Sequence, residues 1–390
     1  MNHQFDVVVV GGGIVGLTAA LAMAKRDFTV AVIDGTSLII DSNRFDPRVY
    51  AINLASQELF EQLNVWQQIK QERLSPYQRM HVWDAGNRAH IDFDSREVKA
   101  SALGHILEET VLKEALLKEI AHWQKVHLFA DSKIECIEQA NDRITVSAAN
   151  SSWEAKLLMI ADGANSLCRK LLNVGLTSWS YHQDAIVALV KTEKPHQKTA
   201  YQVFNSDGPL AFLPLADEHL CSIVWSTTPA HAKKLMALSA EDFNHELEKA
   251  FASKLGKVEV QGARYGFPLT MRHAKQYSGQ NWILMGDAAH TIHPLAGLGL
   301  NVGLADVDCW LQALDGSSNR INLKLLGFYQ RQRRYAVWQI IAMMEGLKAV
   351  FLNPLRVVSR LRAFGLSFCN RLPPLKKLFI QQAAGKSLEL

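Results

Sequence analysis

Apolar positions change their spacing along the chain in a way that marks elements. A continuous apolar run, Val7 to Val10, meets three glycines; helical spacing follows from Ile14 to about Lys25, and a second apolar run, Thr29 to Ile33, ends in Asp34. That order predicts strand, tight turn, helix, strand. A polar segment comes next, Gly35 to Asn43, before an expected helix from about Ser56 to Lys70. Tyr77 to Asp94 alternates like strands, and Gly104 opens an expected helix running to about His122. Short alternating runs follow at Val126 to Ala130, Lys133 to Gln139 and Arg143 to Ala148. Another apolar strand ends in Asp162-Gly163, with a helix starting near Ser166. From Ala185 to Ser226 the pattern is strand-like, rich in Trp and Phe, with turns at Ser206-Asp207-Gly208 and Asp217-Glu218, and reads as an antiparallel sheet. A helix, Ala240 to Ser253, leads on to a strand, Trp282 to Met285, that runs into Gly286-Asp287 and then a helix from about Gly299 to Ala313. Helical patterns close the chain at Leu323 to Phe351, Pro354 to Asn370 and after Pro373-Pro374.

With 390 residues the chain is long for one domain and suggests two lobes. The boundaries drawn from these patterns are 1–75, 101–180 and 273–322 for three parts of a nucleotide-binding lobe. Residues 76–100 and 181–272 form the second lobe, and 323–390 a basic helical C-terminal region. Hydrophobic content of 48% and 21% charged residues are ordinary for a globular protein. Five widely spaced cysteines without a C-x-x-C pair argue against a disulfide framework and a zinc site. No basic n-region opens the chain, and no apolar run nears the roughly 18 residues of a membrane span, so a cytoplasmic protein is expected. A net charge of +4 is too small to imply nucleic acid. The charge is uneven, however: from Arg331 to Leu390, eleven Lys and Arg stand against Glu345 and Glu389.

Gly11, Gly13 and Gly16 form G-x-G-x-x-G between strand and helix. The first glycine permits the turn, the second lets backbone approach a pyrophosphate, and the third lets the helix pack on the strand. An anionic phosphate at that helix N-terminus meets free N–H groups and the positive end of the dipole. Asp34, near the usual distance of roughly 20 residues, is placed to accept from a ribose hydroxyl and to repel a 2′-phosphate, which points to FAD or NAD. Arg48 either reaches back to the pyrophosphate or is a solvated loop arginine.

Three strand-to-acid junctions in this order, the glycine motif, Asp162-Gly163 and Gly286-Asp287, resemble the single-component FAD monooxygenases of the para-hydroxybenzoate hydroxylase fold. The block from Gly286 to Val307, GDAAHTIHPLAGLGLNVGLADV, with Gly104-His-Ile-Leu-Glu and Asn370-Arg-Leu-Pro-Pro-Leu-Lys, is similar to the ubiquinone-biosynthesis hydroxylases over nearly the whole chain. Pro76-Tyr77, Val82-Trp-Asp, Ala211-Phe-Leu-Pro-Leu and His219-Leu-Cys-Ser-Ile-Val-Trp-Ser look most like the 2-polyprenylphenol hydroxylase acting at ring C5. The resemblance implies an α/β fold: a Rossmann-like FAD lobe, an antiparallel β-sheet substrate lobe and a helical C-terminus.

It also implies FAD held by Gly11, Gly13, Gly16, Asp34, Arg48, Gly286 and Asp287, with NAD(P)H as a transient co-substrate docking beside Asp162 and Gly163. The loop of Pro294, Gly297, Gly299, Leu300 and Asn301 is expected along the isoalloxazine, its helix N-terminus aimed at the flavin N1/O2 edge, where charge develops on reduction. Leu298 departs from the family, which usually carries glutamine there. The implied reaction hydroxylates a polyprenylphenol with O2 through a C4a-hydroperoxyflavin. Phe212, Leu213, Pro214, Trp225, Phe267 and Pro268 are candidates for the substrate pocket or ordinary sheet core. His290 and His293 are candidate general bases or supports for the loop backbone. No metal site is expected.

The basic, amphipathic tail carries Arg356, Arg360, Arg362, Arg371, Lys376 and Lys377, and either caps the core or lies on an anionic membrane at its inner face, where a polyprenyl substrate resides. Other ubiquinone-biosynthesis proteins and a second copy of the chain are conceivable partners. The alternatives are a sister hydroxylase acting at another ring position, a related flavoprotein reductase, or a non-catalytic scaffold. A halogenase lacks support because W-x-W-x-I-P is missing.

Overall fold

A computed structural model describes residues 2–42, 45–87, 89–140, 142–293, 297–351, 370 and 373–385. Five apolar runs pair in parallel, in the order Trp282–Leu284, Leu157–Ile160, Val7–Val10, Val30–Ile33 and Val126–Phe129. Val7–Val10, Val30–Ile33 and Leu157–Ile160 are buried at every residue, as strands covered on both faces must be. Helix Ile14–Ala24 packs closely here because a Cβ on Gly16 would stand 1.9 Å from the Gly11 carbonyl oxygen. Parallel pairing puts the C-terminal ends of neighbouring strands along one edge. In register, Ile160 faces Val10 and Leu284, and Val10 faces Ile33. Asp287, Asp162, Gly11 and Asp34, which follow those residues, therefore share that edge, where open α/β sheets bind ligands.

The second sheet has eight strands, in the order His290–Thr291, Val258–Ala274, Leu176–Thr192, Leu220–Thr227, Gly208–Pro214, Thr199–Asn205, Arg79–Asp84 and His90–Asp94. Its pairs are antiparallel except Thr199–Asn205 with Arg79–Asp84, which run parallel. Helices Pro229–Ala237 and Ala240–Ala250 cover one face, where Leu235, Phe243 and Leu247 join a core with Ile186, Phe212 and Trp225.

Three local expectations change. Gly104–Glu108 is a strand paired with Val49–Ile52 and Ser75–Tyr77, and the helix starts only at Glu109; an apolar run this short does not separate strand from helix by period. The helix expected to reach Lys70 spans Leu54–Gln62, and beyond it Asn64 takes φ +61°, outside the helical region. Helix Pro229–Ala237 was not anticipated, although Thr228 caps it and Pro229 stands in its first turn.

Helix Leu323–Phe351 lays Tyr329, Val337 and Ile341 into the main core. Helix Pro373–Ala383 sits against the turn Ser95–Val98, where Lys376 Nζ lies 2.6 Å from Glu97 Oε1. Arg356, Arg360, Arg362, Arg371, Cys369 and most of the expected Pro354-to-Asn370 helix lie outside the described residues. Among the described residues no helix is long and apolar enough to cross a membrane, and no His, Cys, Asp and Glu cluster could hold a metal.

Candidate active site

At the glycine turn the backbone itself is the binding surface. Gly11 has φ +111°, and a Cβ there would stand 2.3 Å from the Ala161 carbonyl oxygen, so no other residue fits. Gly13 begins helix Ile14–Ala24 without a side-chain cap, and a Cβ on it would meet nothing within 4 Å. An uncapped helix N-terminus thus opens on free space, which suits a phosphate. Asp34 is already oriented. Its Oδ2 accepts the Gly12 N–H at 2.5 Å, and its Oδ1 accepts the Thr36 N–H at 2.7 Å and hydroxyl at 2.6 Å.

Opposite, Arg48 Nη1 donates to Glu109 Oε2 at 3.0 Å, and the Tyr50 hydroxyl donates to the same oxygen at 3.1 Å. Burial lowers the Arg48 pKa, but Glu109 outweighs it and leaves the pKa raised. The Arg48 side chain stays 69% exposed although Glu109 holds its Nη1. Asp287 has no hydrogen-bond partner among the described residues. Its surface reaches solvent, yet the surrounding protein pushes its pKa up against the pull of His290, Arg272 and Arg48. The carboxylate is thus accessible yet crowded by protein.

Asp162 completes this edge. Its Oδ2 accepts the Cys168 N–H at 3.1 Å, while its Oδ1 is buried without a partner. Arg169, which the sequence reading missed, donates to the carbonyls of Ala288 at 2.7 Å and Ala164 at 3.1 Å. It stitches the Asp162 turn to the Asp287 turn, and only its place at the end of the Asp162 block hinted at this. The open glycine turn, the uncommitted Asp287 carboxylate, the lone Asp162 Oδ1 and the exposed Arg48 fit FAD laid along this edge: phosphates at Gly13, a ribose at Asp34 and polar hydroxyls at Asp287.

The loop expected beside the isoalloxazine is held by side chains that turn inward. Asn301 Nδ2 donates to the Ala51 carbonyl at 2.7 Å, and its Oδ1 accepts the Asn53 N–H at 3.0 Å and the Ser56 hydroxyl at 2.9 Å. Gly297 takes φ +63° beside Ala51, and Leu300 packs on the main core. Helix Gly299–Asp315 starts without a side-chain cap, and a Cβ on Gly299 would meet nothing within 4 Å. Leu298 packs against a cluster of Val82, Ile91, Phe204 and Met344, the last on the long helix, so apolar packing steadies the loop where relatives usually carry an amide. Pro294 lies outside the described residues.

Both histidines are buried and already hydrogen-bonded. His290 is 2% exposed, its Nε2 2.7 Å from Asp306 Oδ2. His293 is 1% exposed, with its Nε2 3.1 Å from Gln183 Oε1 and its ring against Tyr181. Burial holds His293 neutral, its pKa lowered to about 4. The geometry gives both a supporting part, and Gln183, not anticipated from sequence, ties the loop to the second sheet.

Strand alternation divides the expected pocket residues. Phe212 and Trp225 belong to the core under the covering helices, and Pro214 shares their side of the sheet by parity. The opposite side faces the first lobe: Leu213, Val49 and Ala51 all pack against a cluster of Ile106, Leu189 and Leu215, and the Ser222 hydroxyl donates to the Pro47 carbonyl at 3.0 Å. Val187 pairs with Val224 and Tyr265, and Ala185 with Phe267. Tyr265 is 53% exposed and Phe267 43%, so two aromatic rings stand uncovered on the sheet; Pro268 is also exposed.

A family described as "FAD binding domain" matches residues 4–344. The "3-demethoxyubiquinol 3-hydroxylase" of Escherichia coli K12 is 35% identical, the alignment covering 98% of this chain and 99% of the relative. The "Ubiquinone hydroxylase UbiL" of Rhodospirillum rubrum is 32% identical over 97% of this chain and 89% of its own. This chain belongs to the FAD-dependent hydroxylases of ubiquinone biosynthesis. Among solved structures, p-nitrophenol 4-monooxygenase PnpA from Pseudomonas putida superposes with a TM-score of 0.82 at 18% identity, covering 98% of this chain and 99% of that one. That likeness shows the fold. The hydroxylase is thus an FAD-dependent monooxygenase, with NAD(P)H the co-substrate typical of its family. FAD, when bound, supplies the oxygen-activating chemistry; the chain's own residues bind it, orient it and exclude water.

Proposed function

We propose that the hydroxylase adds an oxygen atom from O2 to the ring of a polyprenylated phenol in ubiquinone biosynthesis, at ring C5. The observation that carries the apolar-ring reading is the pair of uncovered aromatic side chains, Tyr265 and Phe267, beside Val187 and Ala185 on the sheet. Rings left in water at that density suit an apolar ligand. In this reading Leu213, Ala211 and Val224 form the wall against which the ring lies, Arg48 and Asp287 hold the cofactor, and Asp162 stands where NAD(P)H approaches. The blocks around Pro76-Tyr77 and Ala211 favour C5. A second reading, a demethoxylated quinol as substrate, is favoured by the activity for which the 35% identical relative is named.

Purified protein given FAD, NAD(P)H and either a short-chain prenylphenol or the corresponding demethoxyquinol distinguishes them. NMR of a product hydroxylated at C5 of the phenol supports the first reading. Turnover of the quinol alone moves the assignment to the second, and no ring hydroxylation of either overturns both.

The proposal includes a peripheral membrane contact. Phe328, Tyr335, Met343 and Val350 are exposed along helix Leu323–Phe351, and the chain from Arg331 onward carries the basic excess. Basic apolar surfaces bind anionic bilayers. Cosedimentation with anionic vesicles, and its loss in high salt, is expected; absence of sedimentation at low salt contradicts this part.

A further inference from the structure

Behind the Gly286–Asp287 turn lies a buried charge network that none of the roles above uses. Asp306, on helix Gly299–Asp315, has a side chain 0% exposed. Its Oδ2 accepts the Gly286 N–H at 2.8 Å and lies 2.7 Å from His290 Nε2, while its Oδ1 accepts from Arg333 Nε at 2.6 Å. Arg333 also donates to the Val302 carbonyl at 3.1 Å, and the Tyr277 ring stacks on His290 at 5.9 Å. A carboxylate this deep stays charged only with a cation and donors around it. Burial pushes the Asp306 pKa up, but His290 and Arg333 outweigh it and hold it below the usual range. Both oxygens are then fixed acceptors. Gly286, at φ +55°, turns its N–H back onto this carboxylate, and the next residue is the exposed Asp287. A Cβ on Gly286 would stand 3.2 Å from Val15, so the turn is also confined from the glycine-motif helix.

We propose that Arg333, on the C-terminal helix, is a positioning residue of the FAD site: by orienting the Asp306 carboxylate it pins the Gly286 turn and His290, and so sets the direction in which Asp287 meets the dinucleotide. This rests on assigning Asp287 to FAD. Through this contact a helix from the end of the chain determines a backbone turn in the nucleotide lobe, and the charge pair is retained because it orients rather than because it stabilises.

The test titrates FAD into apoprotein, following flavin fluorescence, alongside the thermal midpoint of the apoprotein. Arg333→Met removes both donors, Arg333→Lys keeps the charge, and a double variant, Asp306→Asn with Arg333→Met, removes both charges and so avoids an unpaired buried carboxylate. Arg333→Met is expected to raise the FAD Kd about tenfold or more, the size of one lost charged hydrogen bond, and Arg333→Lys to restore part of that. The double variant should regain thermal stability but not FAD affinity. If Arg333→Met does not fold, the double variant decides. Wild-type FAD affinity in Arg333→Met, or affinity recovered together with stability in the double variant, overturns the proposal. Asp287→Ala separates the two layers: weakened FAD binding there, with normal binding in Arg333→Met, overturns this inference alone, whereas normal binding in Asp287→Ala overturns the assignment beneath it.

Discussion

Asp287 shows how a single carboxylate reports a site. It is accessible, lacks a hydrogen-bond partner among the described residues, and has a pKa raised by its surroundings, a state that a hydroxyl-bearing ligand would relieve. Asp287→Ala should weaken FAD binding by about ten- to a hundredfold, from the loss of a charge-assisted hydrogen bond; a variant that purifies with its full flavin complement contradicts the assignment. The acid itself was legible because it ends a strand-length apolar run. The burial of His290 was not, since it depends on Asp306 and Arg333, which no local pattern links to it. Histidines also set an acid limit. Burial lowers the pKa of His105, His273 and His293 to about 4 each. Below the unfolded value of about 6.5 the unfolded chain binds more protons, so their contribution is complete above that pH and is lost as pH falls toward 4. Each contributes a slope of about 1.4 kcal/mol per pH unit within that window. The Tm should therefore fall between pH 7 and 5, less so in His273→Gln, and a Tm flat across that range contradicts this.

Elements explain which residues were placed correctly and which were not. Strands and their terminal acids could be read from period, because a buried parallel strand is a short apolar run whatever surrounds it. Which face of the second sheet meets the cofactor edge could not. Alternation divides Phe212 from Leu213 but does not say which partner layer each meets, and helix Pro229–Ala237, whose cap and proline went unread, covers the Phe212 side. The consequence is testable with two substitutions one residue apart. Phe212→Ala should cost about 3–5 kcal/mol of stability by opening a core cavity, with substrate KM little changed in protein that remains folded. Leu213→Trp should raise KM for a prenylated ring while leaving FAD affinity near normal. The reverse pattern would place the pocket on the other face.

Over the whole molecule, the proposed site is shared between the C-terminal edge of the parallel sheet and the uncovered face of the other. Ser222 bonding to Pro47, Leu213 and Ala51 packing on one apolar cluster, and Gln183 reaching His293 join the lobes there. Sequence resemblance gave the family and the cofactor, because its motifs lie at strand ends where backbone geometry dictates residue type. The substrate side was less legible because apolar side chains on a sheet serve core and pocket alike. The most direct measurement is oxygen accounting: protein reconstituted with FAD, supplied with NAD(P)H, ¹⁸O2 and a short-chain prenylphenol, followed by mass spectrometry of the product. One labelled oxygen in a newly hydroxylated ring is the predicted result. NAD(P)H consumed with no label in the ring of the phenol or its demethoxyquinol counterpart would contradict the account.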